Sequence, residues 1–267
     1  IPSDQLDQAI ELGLRSGFGD EYVRLGGLKA FADGALGPQT AYMLSPYEGT
    51  AQDTGIPTLR EDELRDLVRR SYHAGLSVAV HAIGDAANRA TIDAIEEAQR
   101  TGQPARHANL PNRIEHVQLL HPDDLPRLAR LGIVASMQPI HATSDMEIAE
   151  RHWGRRCDLA YAWRGLLDTG ATLAFGSDAP VEMLDPLAGI HAAVTRRRAD
   201  GSPGPDGWIP AQRLTIGQAV HAYTLGAAQA SNERGIKGSV TPGKLADLVV
   251  LSEDIFRLPP MEILQTR

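Results

Sequence analysis

The 267-residue sequence holds a single cysteine, Cys157. One thiol cannot close an internal disulfide, and alone it cannot build a thiolate metal site. There is no apolar run near the roughly eighteen residues that a membrane-spanning helix needs, because Gly, Arg or His interrupts every candidate. Positive charge is scarce: 26 basic against 34 acidic residues leave a net charge of −8. That argues against a nucleic-acid partner, since phosphate binding draws on clustered Lys and Arg. No G-x-G-x-x-G follows a strand-like run and no G-x-x-x-x-G-K-S/T occurs, so nucleotide-driven chemistry has no motif to stand on. Internal repeats and low-complexity tracts are also missing. With 42% hydrophobic and 22% charged residues, the composition is that of a globular protein and excludes disorder or a collagen-like chain. The sequence opens at Ile1 without a basic-then-apolar leader, so the native start is expected to lie elsewhere.

What is present is an alternation of short apolar runs with amphipathic stretches, the pattern of βαβ units around a parallel sheet. Helical spacing marks residues 3–16, 61–74, 86–101, 122–131, 185–199 and 215–230. Strand-like runs occupy 25–33, 76–83, 113–119, 132–138 and 171–178. Residues 35–60, with Pro38, Pro46 and Pro57, read as a long loop of the kind that usually carries function. A polar, proline-bearing loop follows the helix at 86–101. Residues 143–169 read as mixed helix and loop, and the tail GSVTPGKLADLVVLSEDI as strand, Pro-Gly turn and strand. Five such strands suit either an open doubly wound sheet or part of a (β/α)8 barrel.

Nine histidines are the unusual entry in this composition. Lys29, His81, His116 and Asp178 each fall near the C-terminal end of a strand-like run. In 76–83, Ser77, Ala79 and His81 share one face while Val78 and Val80 take the other. In 171–178, Thr172, Ala174, Gly176 and Asp178 lie opposite Leu173 and Phe175. Small residues leading to a polar tip suit the inner mouth of a barrel, whose active sites lie at the C-terminal face of the strands. Any one of these residues would ordinarily be a hydrogen-bonded core group or a turn former, but four in similar positions point to a shared metal site. His141, after Gln138-Pro139-Ile140, sits at a strand end and is expected to line the same mouth. His73, His107, His121 and His152 read as surface residues.

The segments GGLKAFADGALGPQTA, VAVHAIGDAANRATIDAIE, NRIEHVQLLHPDD, GIVASMQP, FGSDAPVEMLDPLAGIHAAV and GSVTPGKLADLVVL resemble the amidohydrolase superfamily. The likeness is to its branch of metal-dependent amidohydrolases that includes the N-substituted formamide deformylases. It rests on the order of these segments and on the spacings of 52, 35 and 62 residues from Lys29 through His81 and His116 to Asp178. The resemblance implies an α/β fold of TIM type, a (β/α)8 barrel. Its later strands, about the fourth to the eighth, would be present in residues 1–235, with residues 236–267 returning into a small composite β-sandwich.

It further implies metal ligation by Lys29, His81, His116 and Asp178, with the Lys29 amine carboxylated. The cofactor would be a divalent metal, zinc by preference, as one or two ions. Asp178 would also be the catalytic proton carrier, and Asp33 and His141 would contact substrate. No H-x-H occurs in the sequence, although the superfamily places one on its first strand, and Gln39 stands near a position where the formamide-hydrolysing branch commonly has arginine. The implied function is metal-dependent hydrolysis of non-peptide C–N bonds of an amide or formamide type, using a metal-activated water. Deamination or another hydrolysis on the same scaffold, a non-catalytic binding protein, and an inactive fragment remain open alternatives. A small-molecule substrate, a homo-oligomer, a cytoplasmic location, and no nucleic-acid or membrane partner complete the expectations.

Overall fold

A computed structural model describes residues 1–102 and 110–267; residues 103–109 of the expected polar loop, His107 among them, lie outside it. Five strands form one sheet in sequential order: β1 Leu28–Phe31, β2 Val78–Ala82, β3 Arg113–His116, β4 Val134–Met137 and β5 Thr172–Phe175. Every pairing is parallel. Among the described residues the helices are α1 Leu6–Glu11, α2 Glu61–Ala74, α3 Asp85–Thr101, α4 Leu125–Leu131, α5 Pro139–Trp153, α6 Trp163–Asp168, α7 Pro186–Thr195, α8 Ile216–His221 and α9 Ala227–Ala230. An α/β chain with parallel strands in chain order, joined through helices, is the arrangement of a partial TIM-type barrel.

The two faces of the sheet differ as the sequence pattern implied. Leu28, Ala30, Val78, Val80, Ala82, Ile114, Ala135, Met137, Leu173 and Phe175 are buried in the main core. Register places Lys29 beside Ala79, His81 beside Glu115, and Ser136 beside Ala174, so these share the opposite, inner face. Helix α2 shows how the outer layer is specified: Leu64, Val68 and Ser71 are its buried residues, one turn apart. It stops at Gly75, whose φ of 76° is the left-handed conformation that glycine adopts without strain.

Several expectations are corrected. The N-terminal helix is shorter, a 3-10 turn at Ser3–Gln5 followed by α1. The segment 143–169 is mixed as expected, with the end of α5, a 3-10 turn at Gly154–Leu159 and α6, but α5 begins earlier, at Pro139 directly after β4; proline's missing N–H costs nothing at the first helical position. The stretch expected as one helix over 215–230 is α8 and α9 joined by a π turn at Ala222–Gly226. Gly226 sits so close to β5 that a Cβ there would lie 2.0 Å from the Leu173 carbonyl oxygen.

The tail forms no strand among the described residues. A strand needs a neighbour for its alternating N–H and C=O groups. Here only single contacts form, Leu245 to Ile236 and Ser252 to Arg267, and Val240, Leu248, Val249 and Val250 stand exposed. A 3-10 turn at Pro260–Gln265 ends the chain with Ile263 fully buried, and Met261 Sδ lies 3.3 Å from His191 Nε2 on α7. No helix among the described residues is long and apolar enough to cross a membrane.

Candidate metal centre

A cavity of about 480 Å³ opens at the C-terminal ends of the strands, and Lys29, His81, His116, His141 and Asp178 all border it. The four residues expected to converge do share one mouth, but they reach it by different routes.

Lys29 is the second residue of its strand, level with Ala79 and two residues below His81 in register, not at the strand's end as expected. Its long side chain makes up the distance, and Nζ lies 4.7 Å from the centroid of the Phe31 ring. Burial pushes the Lys29 amine below its usual range, opposed by the charge of Glu115 and aided by that of Arg113. His81 does stand near its strand end. Its Nε2–H donates to the Gly34 carbonyl at 2.8 Å, which leaves Nδ1 as the ring's free lone pair. The His81 ring meets His116 edge-on, with centroids 4.6 Å apart.

His116 pairs in register with Ala82, so strict alternation would turn it away from the cavity. It escapes because His116 and Val117 have φ of 76° and 46°, left-handed values that end the strand and re-aim the ring. Such conformations cost on the order of 1–3 kcal/mol each and cluster at functional sites. His116 Nδ1–H donates to Gln138 Oε1 at 3.0 Å, freeing Nε2. Asp178 also has positive φ, 58°.

His141 lies in the first turn of α5 rather than on a strand end. It is 7% exposed, stacks on His116 at 5.8 Å, and neither of its ring nitrogens has a hydrogen-bond partner among the described residues. Its Nε2 is 3.9 Å from Asp178 Oδ2. Donor atoms of His116, His141 and Asp178 all fall within 4.8 Å of one another. Atoms that bind one ion at about 2.0–2.2 Å reach it from there by small side-chain movements. His81 and Lys29 border the cavity outside this triad.

Asp33 does not meet the cavity, contrary to expectation. Its side chain is fully buried and accepts N–H bonds from Tyr42, Ile83 and Gly84 at 2.9, 3.0 and 2.8 Å. Burial pushes its carboxyl up to about 7 against the pull of those three donors. Asp33 therefore ties the 35–60 loop to the end of β2. Gly84 is part of this knot, since a Cβ there would lie 1.9 Å from the Tyr42 carbonyl oxygen. Asn88 completes it, donating from Nδ2 to Gly84 at 2.9 Å and Leu119 at 3.1 Å. Of the histidines expected on the surface, His73 is exposed, His121 accepts from the Asp123 N–H, and His152 pairs with Gln39 at 2.7 Å.

Gln118, Gln138, Asp145 and Glu182 were not anticipated as cavity or supporting residues. Helical spacing alone would have paired His141 with Asp145 had α5 been started at Pro139.

Burial, then the charges of His81 and His141, holds the His116 imidazole down to about 4, from an ordinary value of 6.5. Between those values the unfolded chain binds a proton that the folded chain does not. His116 therefore lowers stability as pH falls from 6.5 toward 4. Metal-free protein is expected to lose Tm on acidification from about pH 7 to 5 more steeply than its His116→Asn variant. Equal slopes in calorimetry would contradict the assignment.

A family model described as an amidohydrolase family matches residues 1–267. The chain is 35% identical to the YtcJ protein of Bacillus subtilis (strain 168) over 243 residues, 91% of this chain and 45% of that protein. It is 27% identical over 234 residues to an N-substituted formamide deformylase from Arthrobacter pascens, covering 87% of this chain and 41% of the deformylase. The crystal structure of an uncharacterized metal-dependent hydrolase from Pyrococcus furiosus superposes with a TM-score of 0.81 at 32% identity, over 96% of this chain and 50% of that one. The chain thus spans less than half the length of these curated relatives.

Proposed function

Because the chain belongs to the amidohydrolase family, we propose that its cavity serves metal-dependent hydrolysis of a C–N bond in a small amide- or formamide-type molecule. The observation that carries the proposal is His141. A buried polar group left without a partner costs about 1–3 kcal/mol. Here that group stands between His116 and Asp178, whose donor atoms complete a two-imidazole, one-carboxylate set. Three protein ligands of this kind suit a catalytic zinc site, and the mixed N/O set also admits manganese, iron or nickel. A divalent ion, when bound, polarises a carbonyl and lowers the pKa of water.

The remaining roles fall to the chain itself. Gln138 fixes the His116 tautomer so that Nε2 faces the cavity. Gly34 does the same for His81 through its carbonyl, presenting Nδ1. Asp178 accepts the proton of the attacking water and hands it to the leaving nitrogen. A Lys29 amine pushed toward its neutral form by burial is fit to combine with CO2, and we assign it as the carboxylated lysine of the centre. The likeness to the deformylase supports an acylated amine as substrate. As part of the same reading, the tail from residue 236 belongs to a β-sandwich that would cover Val240 and Leu248–Val250, and the lone buried Cys157 fits the cytoplasm.

The experiment is metal analysis of the purified protein, followed by amine release from N-formyl and N-acyl amines with and without a chelator. One tightly held ion per chain and chelator-sensitive release are expected. No retained metal, and no product with zinc, manganese, iron or nickel, would refute the reading.

A further inference from the structure

One wall of the cavity carries two carboxylates and a buried side-chain amide. Gln118 is 4% exposed and borders the cavity, yet its Oε1 accepts no hydrogen bond among the described residues. Asp145, one turn along α5 from His141, accepts from the Tyr161 hydroxyl at 2.7 Å and has no Lys or Arg partner among the described residues. Glu182 accepts from Ser144 Oγ at 2.7 Å and is likewise without a cation partner there. Carboxylates partly withdrawn from water are normally paired, because an uncompensated charge in such a place is costly.

The fold keeps a nearby cation away from this wall. Arg196 is fully buried, but its guanidinium donates to the carbonyls of Trp208, Tyr161 and Ala160 at 2.5, 3.0 and 3.3 Å. It lies 4.6 and 5.0 Å from the Trp163 and Trp208 rings. Tyr161 ties the two segments together: its N–H bonds the Gln118 backbone carbonyl at 2.7 Å while its hydroxyl holds the Asp145 carboxylate.

We propose that the Gln118–Asp145 wall, with Glu182 at its rim, is a subsite for a protonated amine carried by the substrate. An alkylammonium brings three donors and a positive charge, the complement of two carboxylates and an unpaired amide oxygen. The apolar side chains of Phe31, Leu36, Ile83 and Val181 on the same cavity suit its carbon chain. Burial already pushes the Asp145 carboxyl above its usual range, a cost that a bound cation would offset. An uncharged alkyl chain of the same length would leave these acceptors unpaired, which is how a site built from buried polar groups discriminates. The proposal takes the scissile bond from the hydrolase reading, but binding of the ammonium group does not depend on it.

The test is calorimetric titration of the metal-loaded protein with n-butylammonium and with 1-butanol. Saturable n-butylammonium binding is expected, weakened about tenfold or more in Asp145→Asn with metal content unchanged. Gln118→Glu, which exchanges the amide for a third carboxylate without shortening the side chain, is expected to tighten it. A monoformylated diaminobutane should show a raised KM in Asp145→Asn, with kcat nearly retained, while N-formylbutylamine is unaffected. Equal binding of the ammonium and the alcohol, indifference to both substitutions, or loss of metal from Asp145→Asn would overturn the subsite. Ammonium binding without any hydrolysis would support the subsite while counting against the hydrolase reading alone.

Discussion

Exchanging Asp178 for asparagine is expected to lower hydrolysis of the preferred acylated amine roughly a thousandfold, within the range that a positioned acid–base group contributes. The substitution is chosen for the backbone. Asp178 has φ of 58°, and asparagine tolerates the left-handed region better than most residues, so the loop keeps its shape. The carboxamide can still offer an oxygen to a metal, but it cannot accept and return a proton at neutral pH. Steady-state rates at saturating metal, with metal content measured on the same samples, separate the two roles. A fall of less than about tenfold would remove Asp178 from proton handling.

Arg196→Met is expected to destabilise the protein by about 3 kcal/mol, since each buried carbonyl left unsatisfied costs about 1–3 kcal/mol. Methionine fills much of the volume between Trp163 and Trp208 but takes the donor from the carbonyls of Trp208 and Ala160, while Tyr161 keeps only the Trp163 N–H. For a chain of this length that corresponds to a fall of roughly 10 °C in Tm, read by calorimetry. Arg196→Lys should recover little of it, because a compact ammonium neither forks to three carbonyls nor stacks on indole as a planar guanidinium does. A Tm within about 3 °C of the parent for Arg196→Met would show that the network contributes little.

The parts of the fold legible in the sequence were those with strong periodicity. The bounds of α2 followed from Leu64, Val68 and the stop at Gly75, and the two faces of β2 and β5 from simple alternation. The tail defeated the same logic. Its alternation is real, but conformation there depends on a partner strand that no pattern within the segment supplies. At the site, His81 stands on its strand as expected, whereas Asp178 lies beyond the end of β5 at Phe175, in a left-handed conformation. His116 lies in the cavity only because the backbone turns left-handed at its own position, and one-dimensional spacing does not encode that turn. Asp33 was expected to contact substrate, whereas three backbone N–H groups enclose it. Tyr161 and Arg196 depend on contacts across 12 to 36 residues, beyond the reach of local reasoning.

Helix α5 starts at the very end of β4 and carries His141 in its first turn and Asp145 in the next. Its far end is held independently: Trp153 is fully buried, and Arg156, just beyond it, donates to the carbonyls of Ser45 and Pro46. A helix anchored in this way tolerates exchanges on its second turn without moving its first. Exchanges at the exposed Ser144 and Glu147 are therefore expected to leave the His141 end of the helix in place, whereas Met146 between them is held in the core.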